Sequence, residues 1–305
     1  MHTLPLLQPG DSVEIIAPAS RCSDNQLIQL KELLISWGLR CMVADDIFEV
    51  SDLPFLANTD AYRFNALKKA IERPDTKAII CARGGYGSMR LIPYLRTLTP
   101  PAIPKLLVGM SDITALDLYF QKEWSWPVVH GSLNTETLSP ESLLAVKAIL
   151  FGEVDHVTFA GQPLNAAARE KSIFASSITG GNLCLVQTSI GTAWQIQGEG
   201  RIIFLEEVGE RGYRIDRMLE QLRQATLFEG ATAIVFGDFI GGDEPDGSSL
   251  IQFVLTRFAE TCSIPVIQIQ GIGHGRTNFP LLFGTKATLE CGTNITLTCS
   301  TRECA

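Results

Sequence analysis

Ala78-Ile79-Ile80-Cys81-Ala82-Arg83-Gly84-Gly85-Tyr86-Gly87-Ser88 passes from an unbroken apolar run, through a glycine-rich turn, into the start of an amphipathic segment. A short apolar run bounded by turn residues reads as a strand buried on both faces, and the amphipathic segment after the turn reads as a helix. The pattern continues toward the N-terminus. Val13-Glu14-Ile15-Ile16-Ala17-Pro18 reads as a strand ending at a proline, Gln26 to Trp37 as a helix closed by Gly38, Cys41 to Ala44 as a strand, and Ala61 to Glu72 as a helix stopped before Pro74. Toward the C-terminus come a helix over Ser88 to Leu95, a strand at Lys105-Leu106-Leu107-Val108 and a helix from Asp112 to about Lys122. Strict alternation of strand and helix predicts an α/β fold with a parallel sheet, whose ligands gather at the carboxyl ends of its strands.

The later half is organised differently. After a helix at Glu141 to Leu150, the stretch from Gly152 to Ser172 lacks helical periodicity and is read as a linker, which divides the chain into halves at 1–150 and 173–305. Beyond it, Gly180-Gly181-Asn182 reads as a turn and Arg201 to Leu205 as a strong strand. Ile215 to Ala225 reads as a helix, Ala231 to Gly237 as a strand and Leu250 to Glu260 as a helix, with β-rich residues at Pro265 to Ile267, Thr288-Leu289 and Ile295 to Thr298. This half is a mixed α/β unit.

The 305 residues carry 25 Lys and Arg against 33 Asp and Glu, a net charge of −8. With no basic stripe, nucleic acid and anionic membrane surfaces are excluded as partners, and no apolar run reaches the roughly 18–20 residues of a membrane span. The start at Met1-His2-Thr3-Leu4-Pro5 shows no cationic region followed by an apolar one, so a cytoplasmic protein is expected. The eight cysteines match neither a redox pair nor a zinc site and read as reduced thiols.

Four segments carry residues suited to chemistry. The Gly84-Gly85 turn bares amide N–H groups that suit an anion or a developing oxyanion, although the spacing completes neither a dinucleotide fingerprint nor a P-loop. Gly109-Met110-Ser111-Asp112-Ile113 half-matches a nucleophile elbow, with Ile113 where a second glycine would stand, and Ser111 reads equally as a helix cap. Glu206 and Glu207 end an apolar strand, and alternation sends them to opposite faces without saying which faces a site. His274 lies among glycines in Gly273-His274-Gly275, and His130 in Val129-His130-Gly131-Ser132 is the other credible base. Serine, imidazole, carboxylate and bare amides together make the parts of a serine hydrolase, whereas no HExxH or comparable cluster supports a metal.

These segments resemble the LD-carboxypeptidase family of serine peptidases, which includes muramoyl-tetrapeptide carboxypeptidases and microcin C self-immunity peptidases. The likeness runs over nearly the whole chain: Gly10-Asp11-Ser12-Val13 through Ser20, Arg83 to Gly87, Gly109 to Thr114, Leu205-Glu206-Glu207 with Tyr213 to Leu219, and Gly273-His274. The resemblance implies Ser111 as nucleophile, Glu206 as carboxylate and His274 as base, with the backbone amides of Gly85 and Asp112 as oxyanion donors. Arg83, Gly84 and Tyr86 would touch substrate, with Arg83 or a nearby helix N-terminus meeting its terminal carboxylate and a structural ion pair as the other reading of Arg83. It further implies a flavodoxin-like N-terminal domain, a swivelling-type C-terminal domain, a homodimer, and a muropeptide substrate that loses its terminal D-alanine in peptidoglycan recycling. No cofactor and no metal are implied. Two other readings stand beside it: a microcin-immunity-type peptidase acting on an aminoacyl-nucleotide-like amide, and a non-catalytic small-molecule binding protein. Proline more often follows the glycine of Val129-His130-Gly131 in relatives, where this chain has Ser132.

Overall fold

Five parallel strands, β1 (Ser12–Ile16), β2 (Arg40–Met42), β3 (Thr76–Cys81), β4 (Leu106–Gly109) and β5 (Val128–His130), form a sheet in the order β2-β1-β3-β4-β5. The computed structural model describes residues 4–49 and 53–301, so the readings made on Met1 to Thr3 and on Cys304 lie outside the described residues. β4 is buried at every position, the physical basis of its apolar sequence. Glu14 is an exception within β1, and its carboxylate is met by Arg73 at 3.0 Å. Helices α1 (Asp24–Ser36), α2 (Asp60–Glu72), α3 (Ile92–Leu95) and α4 (Thr114–Tyr119) connect the strands. α1 starts where Ser23 and Gln26 close a reciprocal capping box, and α2 where Thr59 accepts the N–H of Tyr62. The single helix expected from Asp112 to Lys122 is instead a 3₁₀ turn at Ser111–Ile113, then α4, then a π turn at Phe120–Trp124 that stacks Phe120 on Trp124 at 4.7 Å.

Beyond α5 (Pro140–Leu150) the segment read as a linker contains β6 (His156–Pro163) and α6 (Ala166–Arg169). β6 hydrogen-bonds on both sides, yet most of its side chains are exposed or half-buried, so its sequence lacks the apolar alternation that would reveal a strand. Next along the chain are β7 (Ser172–Asn182), α7 (Leu183–Thr188), β8 (Ile202–Val208), α8 (Gly212–Gln224), β9 (Ala233–Ile240), α9 (Ile251–Glu260), β10 (Val266–Ile269), β11 (Leu281–Phe283), β12 (Lys286–Cys291) and β13 (Ile295–Ser300). Seven strands of this half close a barrel in the order β10-β6-β13-β12-β7-β8-β9, with β7 to β10 parallel along one side.

The division at 173 is not clean. β11 leaves the second half and pairs antiparallel with β5 at the edge of the first sheet, Leu281 opposite His130. Gly180 and Gly181 are also strand residues rather than a turn. A Cβ on Gly181 would lie 2.4 Å from Thr114 Oγ1, so glycine lets α4 of the first half approach the barrel, and Asn182 N–H donates to that hydroxyl at 3.1 Å. No helix among the described residues is long and apolar enough to cross a membrane. The described cysteines, Cys22, Cys41, Cys81, Cys184, Cys262, Cys291 and Cys299, are free thiols.

One buried acid has a thermodynamic consequence. Asp117 in α4 is fully buried and neither carboxylate oxygen has a partner, so burial raises its pKa well above the usual carboxylate value. A group with a raised folded-state pKa stabilises fully below its unfolded pKa, and that contribution is lost as pH rises toward the folded value. Asp117→Asn is therefore expected to melt higher than the wild type at pH 7, since the amide needs no proton to stay neutral, and to flatten the decline in stability between acid and neutral pH. Thermal melts of both proteins across that range test it, and a lower Tm for the variant at pH 7 would refute the neutral buried acid.

Candidate active site

The loops after β1, β3 and β4 meet at the carboxyl end of the first sheet. After β3, Gly85 has φ +100, a conformation that a side chain strains, and Ser20 closes on the turn from both sides: its N–H donates to Gly84 O at 3.1 Å and its Oγ accepts Tyr86 N–H at 3.0 Å. A Cβ on Gly84 would lie 2.9 Å from Ser111 Cβ, so the turn lies directly against the serine. Arg63, buried in α2, donates to Pro18 O, to Gly87 O at 3.0 Å and to Asn58 O at 3.2 Å, and pairs with Asp60 at 2.5 Å. One guanidinium thus fixes the loops after β1 and β3. Its signal in the sequence was weak, since an arginine in an amphipathic helix ordinarily faces water.

At the end of β4 the chain is extended at Met110 and turns at Ser111, which has φ 63, a left-handed conformation costly for any residue with a Cβ. A Cβ on Gly109 would lie 2.6 Å from Ile113 Cγ2, so the one glycine present lets the following 3₁₀ turn fold back onto the strand. Ser111 caps no helix: Met110 holds that position and no side-chain cap bond forms. Asp112 is buried and braces the neighbouring turn, its Oδ2 accepting Ser88 N–H at 2.8 Å and its carbonyl accepting Ser88 Oγ–H at 2.6 Å.

On the barrel side, Glu206 in β8 is fully buried and its Oε2 lies 2.7 Å from His274 Nδ1. Glu207 points the other way, as alternation requires, accepting from Asn182 Nδ2 at 3.0 Å, Cys184 N at 2.8 Å and Val208 N at 2.8 Å. Burial lowers the His274 pKa, but the Glu206 hydrogen bond and charge, with a smaller push from Glu207, carry it above the usual imidazole value. His274 Nε2, the nitrogen remote from Glu206, is buried and unpartnered among the described residues. His130 is excluded as the base. It is fully buried in β5 with its ring 5.2 Å from Phe283 and 5.8 Å from Phe204, and burial pushes its pKa down to about 4.

The serine and the histidine belong to one locus. The Asn278 side chain bonds both Met110, which precedes Ser111, and Gly273, which precedes His274. A strained serine, an imidazole and a buried carboxylate, each at the end of a different strand or loop, are what acyl transfer requires.

The sequence and the fold both match known proteins. The family model for the LD-carboxypeptidase N-terminal domain matches residues 13–131, and that for the LD-carboxypeptidase C-terminal domain matches residues 175–289. The chain belongs to the LD-carboxypeptidase family. Among its relatives, the Rickettsia conorii protein named "Putative carboxypeptidase" is 40% identical over 281 residues, covering 90% of this chain and 87% of the relative. The crystal structure of muramoyltetrapeptide carboxypeptidase from Oxalobacter formigenes superposes with a TM-score of 0.79 at 25% identity, covering 95% of this chain and 98% of that one. MccF in complex with glutamyl sulfamoyl guanosine has the same fold, with a TM-score of 0.82 at 17% identity and 99% of both chains covered.

In this LD-carboxypeptidase family member, Ser111 and Glu206 lie in different matched regions, so the family's two halves meet at the site. Arg83 is exposed and donates to Arg21 O at 3.0 Å; no ion pair forms between Arg83 and an acid among the described residues. Tyr86 is exposed at the same rim, its ring edge-on to Phe55 at 5.4 Å. Asp238, in β9, is a further residue of the site: its carboxylate accepts Gly271 N–H at 3.0 Å and anchors the histidine loop. An acid directly after an apolar run is its signal in the sequence, the same one that marks Glu206. A separate cavity of about 610 Å³ between α5 and the β6–β10 pair, lined by Phe159, Gln162, Ile269 and Phe279 among others, holds none of these residues.

Proposed function

We propose that this protein is a serine L,D-carboxypeptidase that releases the terminal D-alanine of muropeptide tetrapeptides. The observation that carries the reading is the 2.7 Å Glu206–His274 pair beside a serine in left-handed backbone, in a chain that resembles muramoyltetrapeptide carboxypeptidase over almost its whole length. Ser111 Oγ attacks the carbonyl carbon of the residue before D-alanine while His274 Nε2 takes its proton. Glu206 at Nδ1 holds the imidazole in the tautomer with Nε2 free and stabilises the imidazolium. Gly85 and Asp112 N–H receive the oxyanion. The proton then passes from His274 to the departing D-alanine nitrogen, and water activated by the same imidazole releases the shortened peptide from Ser111. No hydrogen bond joins Ser111 to His274 here; such contacts commonly tighten only around substrate.

Arg83, Gly84 and Tyr86 form the rim that receives the substrate, with Arg83 as the cation for its terminal carboxylate. The β2-β1-β3-β4-β5 order supports a flavodoxin-like reading of residues 1–150, and the closed barrel, in which β6 joins strands of 173–305, supports a swivelling-type second domain. A cytoplasmic homodimer acting in peptidoglycan recycling completes the proposal.

Purified protein incubated with a tetrapeptide muropeptide is expected to release free D-alanine, followed with a D-amino acid oxidase assay. Faster cleavage of an aminoacyl sulfamoyl-adenylate would favour the microcin-immunity-type reading. Hydrolysis of neither would favour a binding protein.

A further inference from the structure

One side-chain amide ties the nucleophile turn to the histidine loop. Asn278 is fully buried, four residues beyond His274. Its Oδ1 accepts Gly273 N–H at 3.2 Å, its Nδ2 donates to Met110 Sδ at 3.0 Å, and its own N–H donates to Ser142 Oγ at 2.9 Å in α5. Gly273 and Met110 each immediately precede a reacting residue. The rest of the loop is fastened elsewhere: Arg276 O accepts Ser139 N–H at 2.8 Å, Phe279 N–H donates to Gly271 O at 2.7 Å, and Gly271 N–H reaches Asp238. Among the hydrogen bonds that hold the loop, that of Asn278 Nδ2 reaches the chain next to Ser111.

Stability alone does not explain an asparagine at this position. Its Oδ1 satisfies the buried Gly273 N–H and so stabilises the loop, but the Nδ2 end adds little stability, because a thioether is a weak acceptor. The bond to Met110 links the segment beside the nucleophile to the loop of the base, which come from different halves of the chain.

We infer that Asn278 is a positioning residue that sets His274 Nε2 in register with Ser111 Oγ. The inference rests on the reading of Ser111 and His274 as the reacting pair. Misplacing reacting groups by about 1 Å costs on the order of 10²-fold in rate. Asn278→Ala is therefore expected to slow both tetrapeptide turnover and covalent labelling of Ser111 by a fluorophosphonate by about 10²-fold, with KM changed by less than about threefold. The pH midpoint of labelling should stay where it is in the wild type, because the Glu206–His274 bond is intact. A merely structural role would lower the melting temperature and leave the labelling rate of folded protein unchanged.

Met110→Leu keeps the shape of the side chain and removes the acceptor. It is expected to melt like the wild type, to label roughly 3–10-fold more slowly, and to add nothing further in the double variant. Wild-type labelling rates in folded Asn278→Ala would overturn the inference. Should that variant not fold, a wild-type rate in Met110→Leu would overturn it instead. Wild-type protein that resists the fluorophosphonate altogether would overturn the nucleophile reading, and this inference with it; labelled wild type with unaffected variants overturns this inference alone.

Discussion

Replacing Ser111 with alanine is expected to lower kcat/KM for D-alanine release by at least about 10³-fold while leaving the protein folded. The loss comes from removing the atom to which the acyl group would be attached; binding and the oxyanion amides alone sustain only a residue of the rate. Neighbouring hydroxyls offer no substitute. Ser88 Oγ is buried and donates to Asp112 O at 2.6 Å, and Ser20 Oγ accepts from Tyr86 N–H at 3.0 Å. The backbone gives a second readout. Ser111 sits at φ 63, which costs a residue with a Cβ about 1–2 kcal/mol. Alanine keeps the Cβ and should melt like the wild type, whereas Ser111→Gly should melt higher while being equally inactive, relief of strain outweighing glycine's extra chain entropy. Thermal melts and D-alanine assays on the two variants check both points. More than about a tenth of wild-type activity in Ser111→Ala would place the nucleophile elsewhere, since losses of a true nucleophile are far larger.

The parts of the site differed in how far the sequence could reveal them, for physical reasons. β4 and the turn after it were legible because a strand covered on both faces must be apolar throughout, and the glycine and serine beyond it interrupt that run sharply. Alternation correctly separated Glu206 from Glu207 but could not orient the pair, because the choice depends on Asn182 and Cys184, which return beside β8 only in the folded chain. His130 and His274 both follow apolar strands. They differ because β11, far along the chain, crosses back beside β5 and closes His130 off behind Phe283. β6 was invisible for the opposite reason: its side chains mostly face water, and its place in the barrel is fixed by backbone hydrogen bonds, which leave no mark on residue type. Arg63 shows the same limit, since what buries it is a set of carbonyl oxygens from three loops.

Glu206→Gln is expected to reduce the plateau rate by about 10³–10⁴-fold and to move its pH dependence toward acid. Burial alone would depress the His274 pKa; the Glu206 hydrogen bond and charge reverse that, and the distant charge of Glu207 adds to the reversal. The base works only as neutral imidazole, so wild-type activity should fall as pH drops through a midpoint above the ordinary histidine value of about 6.5. With glutamine at position 206 the largest upward influences vanish, burial prevails, and the midpoint should shift below that value. The other titrating neighbours do not obscure the comparison. His130 stays neutral with a pKa of about 4, and the charges that shift His274 are those of Glu206 and Glu207. Glu207→Gln is the control: its carboxylate is occupied by Asn182, Cys184 and Val208, so the change should lower the melting temperature more than kcat and leave the midpoint within a few tenths of a unit, as expected of a weak, distant charge. An unmoved midpoint in Glu206→Gln, or a larger loss of kcat in Glu207→Gln, would transfer the carboxylate's role to the other face of β8.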